Sequence, residues 1–225
     1  QPQQVRRQAP QIAWNVQQRM PTELPIAIEN APILAAARAT RRSTGVVLAR
    51  GLGCCLLVTL AAQVRVPVPG TEVPMTLQLL AVLLTGLSLS PREAVAALST
   101  YLILGAAGLP VFSPGSTGLF GPTAGYLIGF IPAAWAVSLV RGPRCGAVSR
   151  LLGAGAVGVA VVFSCGVGWR LAWLNGDWRL ALQTGLFPFA LKAVVELGLA
   201  VALAITVRRW HERRSGGKGV SGQLE

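Results

Sequence analysis

Lys192 and Glu196 are two charges in an otherwise apolar run, 181–207. Four residues apart, they share one face of a helix. A charge at bilayer depth costs at least ~2.5 kcal/mol on insertion scales and normally faces a bundle interior and a function. The two form an ion pair that packs helices, or Lys192 offers a cation to an anionic ligand group. Further polar chemistry collects in two loops. The first reads Val66-Pro-Val-Pro-Gly-Thr-Glu-Val-Pro-Met-Thr-Leu-Gln78, so that Thr76 and Gln78 lead into an apolar run. The second, Gly108 to Tyr126, is rich in Gly, Pro and hydroxyl groups and carries no charge. Irregular backbone near a membrane is tolerated only where protein or water covers it, so both loops are expected to roof a cavity between helices.

Other chemistries are absent from the pattern. Gly153-Ala-Gly155-Ala-Val-Gly158 has the letters of a dinucleotide-binding turn, but lies inside an apolar run with no strand before it. There, small residues let a neighbouring helix approach closely. No Gly-Lys-Ser/Thr phosphate loop, carboxylate pair, Ser/His/Asp set or zinc motif occurs. Cys54, Cys55, Cys145 and Cys165 read as small hydrophobes, and His211 lies in a basic tail. The chain is expected to be no enzyme, with neither cofactor nor metal.

The elements that must position these groups follow from composition. Of 225 residues, 52% are hydrophobic and only 12% charged, against roughly 25% in soluble domains. The net charge of +12 suggests nucleic acid, but the basic residues are confined between apolar runs of helix length. Those runs are 45–64, 75–90, 92–108, 122–140, 146–170 and 181–207, near what a helix needs to cross ~30 Å of hydrocarbon. Pro91, in the Ser-Pro-Arg break, is placed to start the third. Six spans put both termini on one side. With that side cytoplasmic, sixteen of the twenty basic residues lie inside, and only Arg65, Arg170 and Arg179 lie outside, as the positive-inside rule demands. The expectation is an all-α integral membrane protein, a compact bundle of six transmembrane helices with cytoplasmic N- and C-termini. Residues 1–44 read as a basic, mostly disordered cytoplasmic tail, 45–207 as the six-helix membrane domain, and 208–225 as a second basic tail. The surplus charge then reports topology, and no nucleic-acid partner is expected.

Three motifs in these spans carry a resemblance. Val-Pro-x-Thr-x-Gln at 73–78, Gly-Leu-Pro-Val-Phe at 108–112 and Gly-Pro-Thr-Ala-Gly-Tyr at 121–126 together resemble the BioY family, the biotin-binding S components of energy-coupling factor (ECF) vitamin transporters. The resemblance covers about residues 45–207. It implies a substrate-binding subunit of an ECF-type ABC transporter in the cytoplasmic (inner) membrane of a bacterium, capturing biotin for uptake. Its partners would be a membrane coupling subunit and two ABC ATPase subunits, which would hydrolyse the ATP. The substrate-binding residues it implies are Thr76, Gln78, Ser116, Thr117, Thr123, Tyr126 and Lys192. The family's Asp-x-x-Lys keeps its Lys at Lys192 but has Phe189 in place of the Asp. Biotin needs apolar walls, a few placed amide or hydroxyl groups and one cation. Gln78 and Thr76 suit its ureido group, and Lys192 its carboxylate.

Gly45, Ala49 and Gly53 form a small-residue stripe on the first span. It resembles the stripe by which S components dock on the coupling subunit; packing within the chain is the alternative. An S component for a different vitamin, a proton-coupled carrier using Lys192 and Glu196, and a scaffold without ligand also remain open.

Overall fold

Backbone groups in hydrocarbon have no water to bond, so long apolar runs must satisfy their own amides as helices. In a computed structural model that describes residues 44–142 and 147–216, these residues are mostly helical. The helices are α1 (Thr44–Gln63), α2 (Gln78–Ser88), α3 (Pro91–Ala106), α4 (Ala124–Arg141), α5 (Val148–Trp173), α6 (Trp178–Gly185) and α7 (Phe187–Gly216). Two short strands, β1 (Arg65–Val66) and β2 (Met75–Thr76), pair antiparallel in the first loop, with Arg65 opposite Thr76. Among the described residues, four helical segments are long and apolar enough to cross a membrane: Gly45–Gln63, Ala124–Arg141, Val148–Trp173 and Phe187–Trp210.

Two of the expected spans are built differently. The run 75–90 is helical only over the 11 residues of α2, about 16 Å at 1.5 Å per residue, because its first residues belong to the hairpin. The last run is divided: α6 ends at Gly185 and α7 starts at Phe187 and continues to Gly216, past the expected end at 207. Pro91 does open α3, with the Ser90 N–H donating to the Glu93 carboxylate (2.8 Å), a local cap for the helix start. Residues 1–43, Cys145 and 217–225 lie outside the described residues, as does the His211 side chain.

Helix α2 is the centre of the molecule. Leu79, Ala81, Val82, Leu83 and Leu87 are buried against α4, α5 and α7. The outer helices turn apolar faces outward instead: Leu48, Leu52, Leu56 and Leu60 of α1 and Leu191, Val195, Leu199 and Leu203 of α7 are exposed, as lipid-facing residues would be. The C-terminal end of α2 is tied down by polar side chains. Arg50 donates to the Ser88 carbonyl (2.6 Å), and Ser138 and Arg141 donate to that of Leu89 (2.7 and 3.0 Å), occupying carbonyls that a helix C-terminus leaves unpaired. The Gly153–Gly158 run lies inside α5. A Cβ at Gly158 would strike the Val137 and Leu83 side chains, so this glycine brings α5 against α4 and α2 and cradles no phosphate.

Candidate substrate-binding site

One end of the bundle is roofed by the two irregular segments. The first, 64–77, is held by the hairpin, by the Leu77 N–H on the Ala61 carbonyl (3.2 Å) and by the Thr71 hydroxyl on the Thr184 carbonyl (2.7 Å). The second, 107–123, is anchored by Gln63, whose amide donates to Pro110 and Phe112 carbonyls (both 3.4 Å), and by Arg65, which donates to the Pro114 carbonyl. Gly115 and Gly118 turn it through positive φ (68° and 60°), which side-chain-bearing residues rarely adopt. The Phe112 ring packs edge-on against Tyr101, centroids 5.4 Å apart.

Beneath this roof lies a cavity with about 90 Å³ open to water centres, several times what one water needs. Its walls are apolar: Val73, Leu79, Phe112, Leu127, Phe130, Val162, Phe163 and Phe189. Its polar lining consists of Thr76, Gln78, Ser113, Ser116, Thr123, Tyr126 and Lys192. Helix α2 presents Gln78, the start of α4 brings Thr123 and Tyr126, and α7 supplies Phe189 and Lys192. Six of the seven residues expected to bind substrate thus meet at one place. Thr117 does not join them; it lines a neighbouring cavity on the far side of the 112–116 segment.

The polar groups differ in how they are engaged. The Thr76 hydroxyl donates to Gln78 Oε1 (2.9 Å), and Gln78 Nε2 donates to the Tyr101 hydroxyl (2.7 Å). The Tyr126 hydroxyl donates to the Gly185 carbonyl (2.7 Å); its hydrogen is committed, and the ring is what it offers the cavity. Gly166 permits this placement, because a Cβ there would overlap the Tyr126 ring. Lys192 Nζ lies 2.7 Å from Glu196 Oε2. Of the lining residues only Lys192 carries a charge, and two of its three ammonium donors remain beyond that bond. Glu196 is 2% exposed, below the cavity rather than in its wall.

Ser113 and Ser116 are the unsatisfied members. Both hydroxyl oxygens are buried without a hydrogen-bond partner, an arrangement folded proteins seldom leave unused. The expected site included Ser116 but missed Ser113. Inside the cluster Phe-Ser-Pro-Gly-Ser-Thr no periodicity tells which hydroxyls face inward. Arg170, expected in an outer loop, instead ends α5 at 2% exposed, its guanidinium bonded to Thr184 Oγ1 (2.8 and 3.2 Å) and 3.9 Å from Glu72. No cluster of His, Cys, Asp or Glu that could hold a metal occurs among the described residues. Gly45, Ala49 and Gly53 are exposed on α1, and a Cβ at Gly53 would meet nothing within 4 Å; among the described residues the stripe faces outward, away from the other helices.

The arrangement can hold a largely apolar molecule with an amide-like group at Gln78, hydroxyl contacts from the roof and an anionic group at Lys192. Residues 34–213 match the family model described as BioY family. The chain is 32% identical to a protein named biotin transporter BioY from Thermotoga maritima, over 70% of this chain and 93% of that one. To biotin transporter BioY2 of Lactococcus lactis subsp. cremoris the identity is 31%, over 70% and 87% respectively. A crystal structure of the S-component for biotin from an ECF-type ABC transporter superposes with a TM-score of 0.67 at 20% identity, covering 76% of this chain and 94% of that one. At that identity the likeness is one of fold.

Proposed function

The chain belongs to the BioY family, and from that premise and the cavity's chemistry we propose that it captures biotin as the substrate-binding component of an ECF-type transporter. The observation that carries the assignment is the cavity's division of labour. Apolar walls suit the bicycle and alkyl chain; Gln78 and Thr76 suit a ureido group that both donates and accepts; the roof contributes Ser113 and Ser116; Lys192 awaits a carboxylate. A pocket of this make-up, apolar with few convergent polar groups, is the usual form of a small-molecule site.

Orientation follows from charge. In the proposed topology the chain crosses the bacterial cytoplasmic membrane six times, α2 and α3 forming the two short crossings, and both termini are cytoplasmic. Arg50, Arg92, Arg141 and Arg150 then lie at the cytoplasmic ends, as the positive-inside rule favours, and the roofed cavity opens outward. Residues 1–44 and 208–225 form basic cytoplasmic flanks of the membrane domain. The outward stripe of Gly45, Ala49 and Gly53 lets a foreign helix approach α1 closely, and we assign it to a membrane coupling subunit that links the chain to two ATPase subunits. The chain itself performs no hydrolysis.

Binding of labelled biotin to the purified protein in detergent, with riboflavin and thiamine as competitors, tests the reading. Saturable binding displaced by biotin alone is expected. No binding at micromolar biotin, or displacement by another vitamin, overturns it.

A further inference from the structure

Tyr101 lies in the middle of α3 and is fully buried, yet it bonds to two parts of the site. Its hydroxyl lies 2.7 Å from Gln78 Nε2 and 3.2 Å from the Val111 carbonyl oxygen. A phenol has one hydrogen to give. The Val111 carbonyl can only accept, so that hydrogen goes to Val111 and the Tyr101 oxygen accepts from Gln78. The Gln78 amide is thereby oriented from both ends, its nitrogen toward Tyr101 and its oxygen toward the Thr76 hydroxyl. One N–H and one lone pair of the amide remain for a ligand, a donor and an acceptor side by side. Val111 stands two residues before Ser113, whose buried hydroxyl has no partner, so the same phenol also holds the roof segment that carries Ser113.

We propose that Tyr101 is the positioning residue of the site: its hydroxyl sets the Gln78 amide to read a ureido group and locks the roof at Val111 in register with it. The proposal rests on biotin being the ligand. Tyr101 does not line the cavity and makes no contact with ligand; it acts through Gln78 and the roof. Without the hydroxyl only Thr76 holds the amide, and a threonine hydroxyl accepts as readily as it donates, so a flipped Gln78 is tolerated and presents a donor where the ligand also donates. The same geometry makes Tyr101 a source of selectivity, because only a fixed amide distinguishes a urea from a group with the opposite donor and acceptor pattern.

The test is a double-mutant cycle on the full chain in detergent, measured as biotin affinity by equilibrium dialysis. Tyr101→Phe keeps the ring against Phe112 and removes only the hydroxyl. It is expected to weaken biotin about 10-fold and to reduce the preference for biotin over 2-iminobiotin, in which the ureido oxygen is replaced. In a Gln78→Met background the same substitution is expected to cost clearly less, about 3-fold, since the coupling through the amide vanishes when Gln78 is gone and only the hold on Val111 is left to lose. Equal losses in both backgrounds, or an unchanged preference, would overturn the proposal, because a merely structural tyrosine gives that pattern. Should Tyr101→Phe fail to fold, a ring-fluorinated tyrosine at 101 keeps the hydroxyl as a poorer acceptor; a 2-fold or greater loss supports the proposal and an unchanged affinity refutes it. Failure of the unsubstituted chain to bind biotin would refute the ligand assignment instead, and with it the premise.

Discussion

Replacing the half-buried Lys192 separates its two duties. Lys192 neutralises Glu196, whose side chain is 3% exposed and whose Oε1 has no partner. Removing the lysine alone strands that carboxylate, and breaking one side of a buried pair costs about 3–5 kcal/mol, so Lys192→Met by itself confuses stability with recognition. Lys192→Met combined with Glu196→Gln removes both charges and is expected to melt within a few degrees of the unsubstituted chain. Its binding then reports the ligand contact. A hydrogen bond to a charged group contributes about 1.5–3 kcal/mol, or roughly 10- to 150-fold in Kd. Biotin methyl ester removes the same charge from the other side. The unsubstituted chain is expected to prefer biotin to its ester by that factor, and the double variant to bind the two within about 3-fold of each other. Isothermal titration in detergent measures all four combinations. A double variant that still prefers the free acid by more than about 10-fold would refute the pairing of Lys192 with the carboxylate.

Ser113→Ala and Ser116→Ala are each expected to weaken biotin by about 2- to 10-fold, the loss of one ordinary hydrogen bond. Because both hydroxyls are unpartnered without ligand, thermal unfolding of the ligand-free variants should occur at or above the temperature of the parent chain; a large drop would show that these groups hold structure. Gly53→Leu should reduce co-purification with the coupling subunit while leaving biotin affinity unchanged, and undiminished co-purification would count against docking through α1. Gly166→Val places methyl groups on the Tyr126 ring, and overpacking of this kind costs about 1–3 kcal/mol; differential scanning should record a lower melting temperature, together with weaker binding.

Much of the site was legible because its residues sit where sequence has grammar. Thr76 and Gln78 follow a proline-rich approach into an apolar run, and Lys192 is an expensive charge in another; either stands out against a hydrophobic background. The arrangement of the helices was legible in outline, since charge breaks separate apolar runs. Local backbone chemistry was harder to read. Hydropathy does not distinguish the residues of the hairpin from the start of a helix, so α2 reads three residues early, and the break at Leu186 that separates α6 from α7 is marked only by Gly185 and Pro188, punctuation that an apolar run hides. In the roof, side-chain direction is set by turns through Gly115 and Gly118, not by a period, so Ser113 and Thr117 could not be told apart: the first faces the cavity and the second does not. Tyr101 was hidden for the opposite reason, since an aromatic in an apolar helix looks like filling until its hydroxyl partners are seen. Arg170 reads as a loop cation because bonding to Thr184, 14 residues away, leaves no trace in local composition.

The most direct test of the central claim is an experimental structure of the chain with saturating biotin. Ligand density is expected in the cavity between α2, α4 and α7, with the carboxylate against Lys192 Nζ and the ureido group against the Gln78 amide, and Ser113 within hydrogen-bond reach. Density in the neighbouring cavity lined by Thr117, or an empty site at saturating ligand, would contradict it.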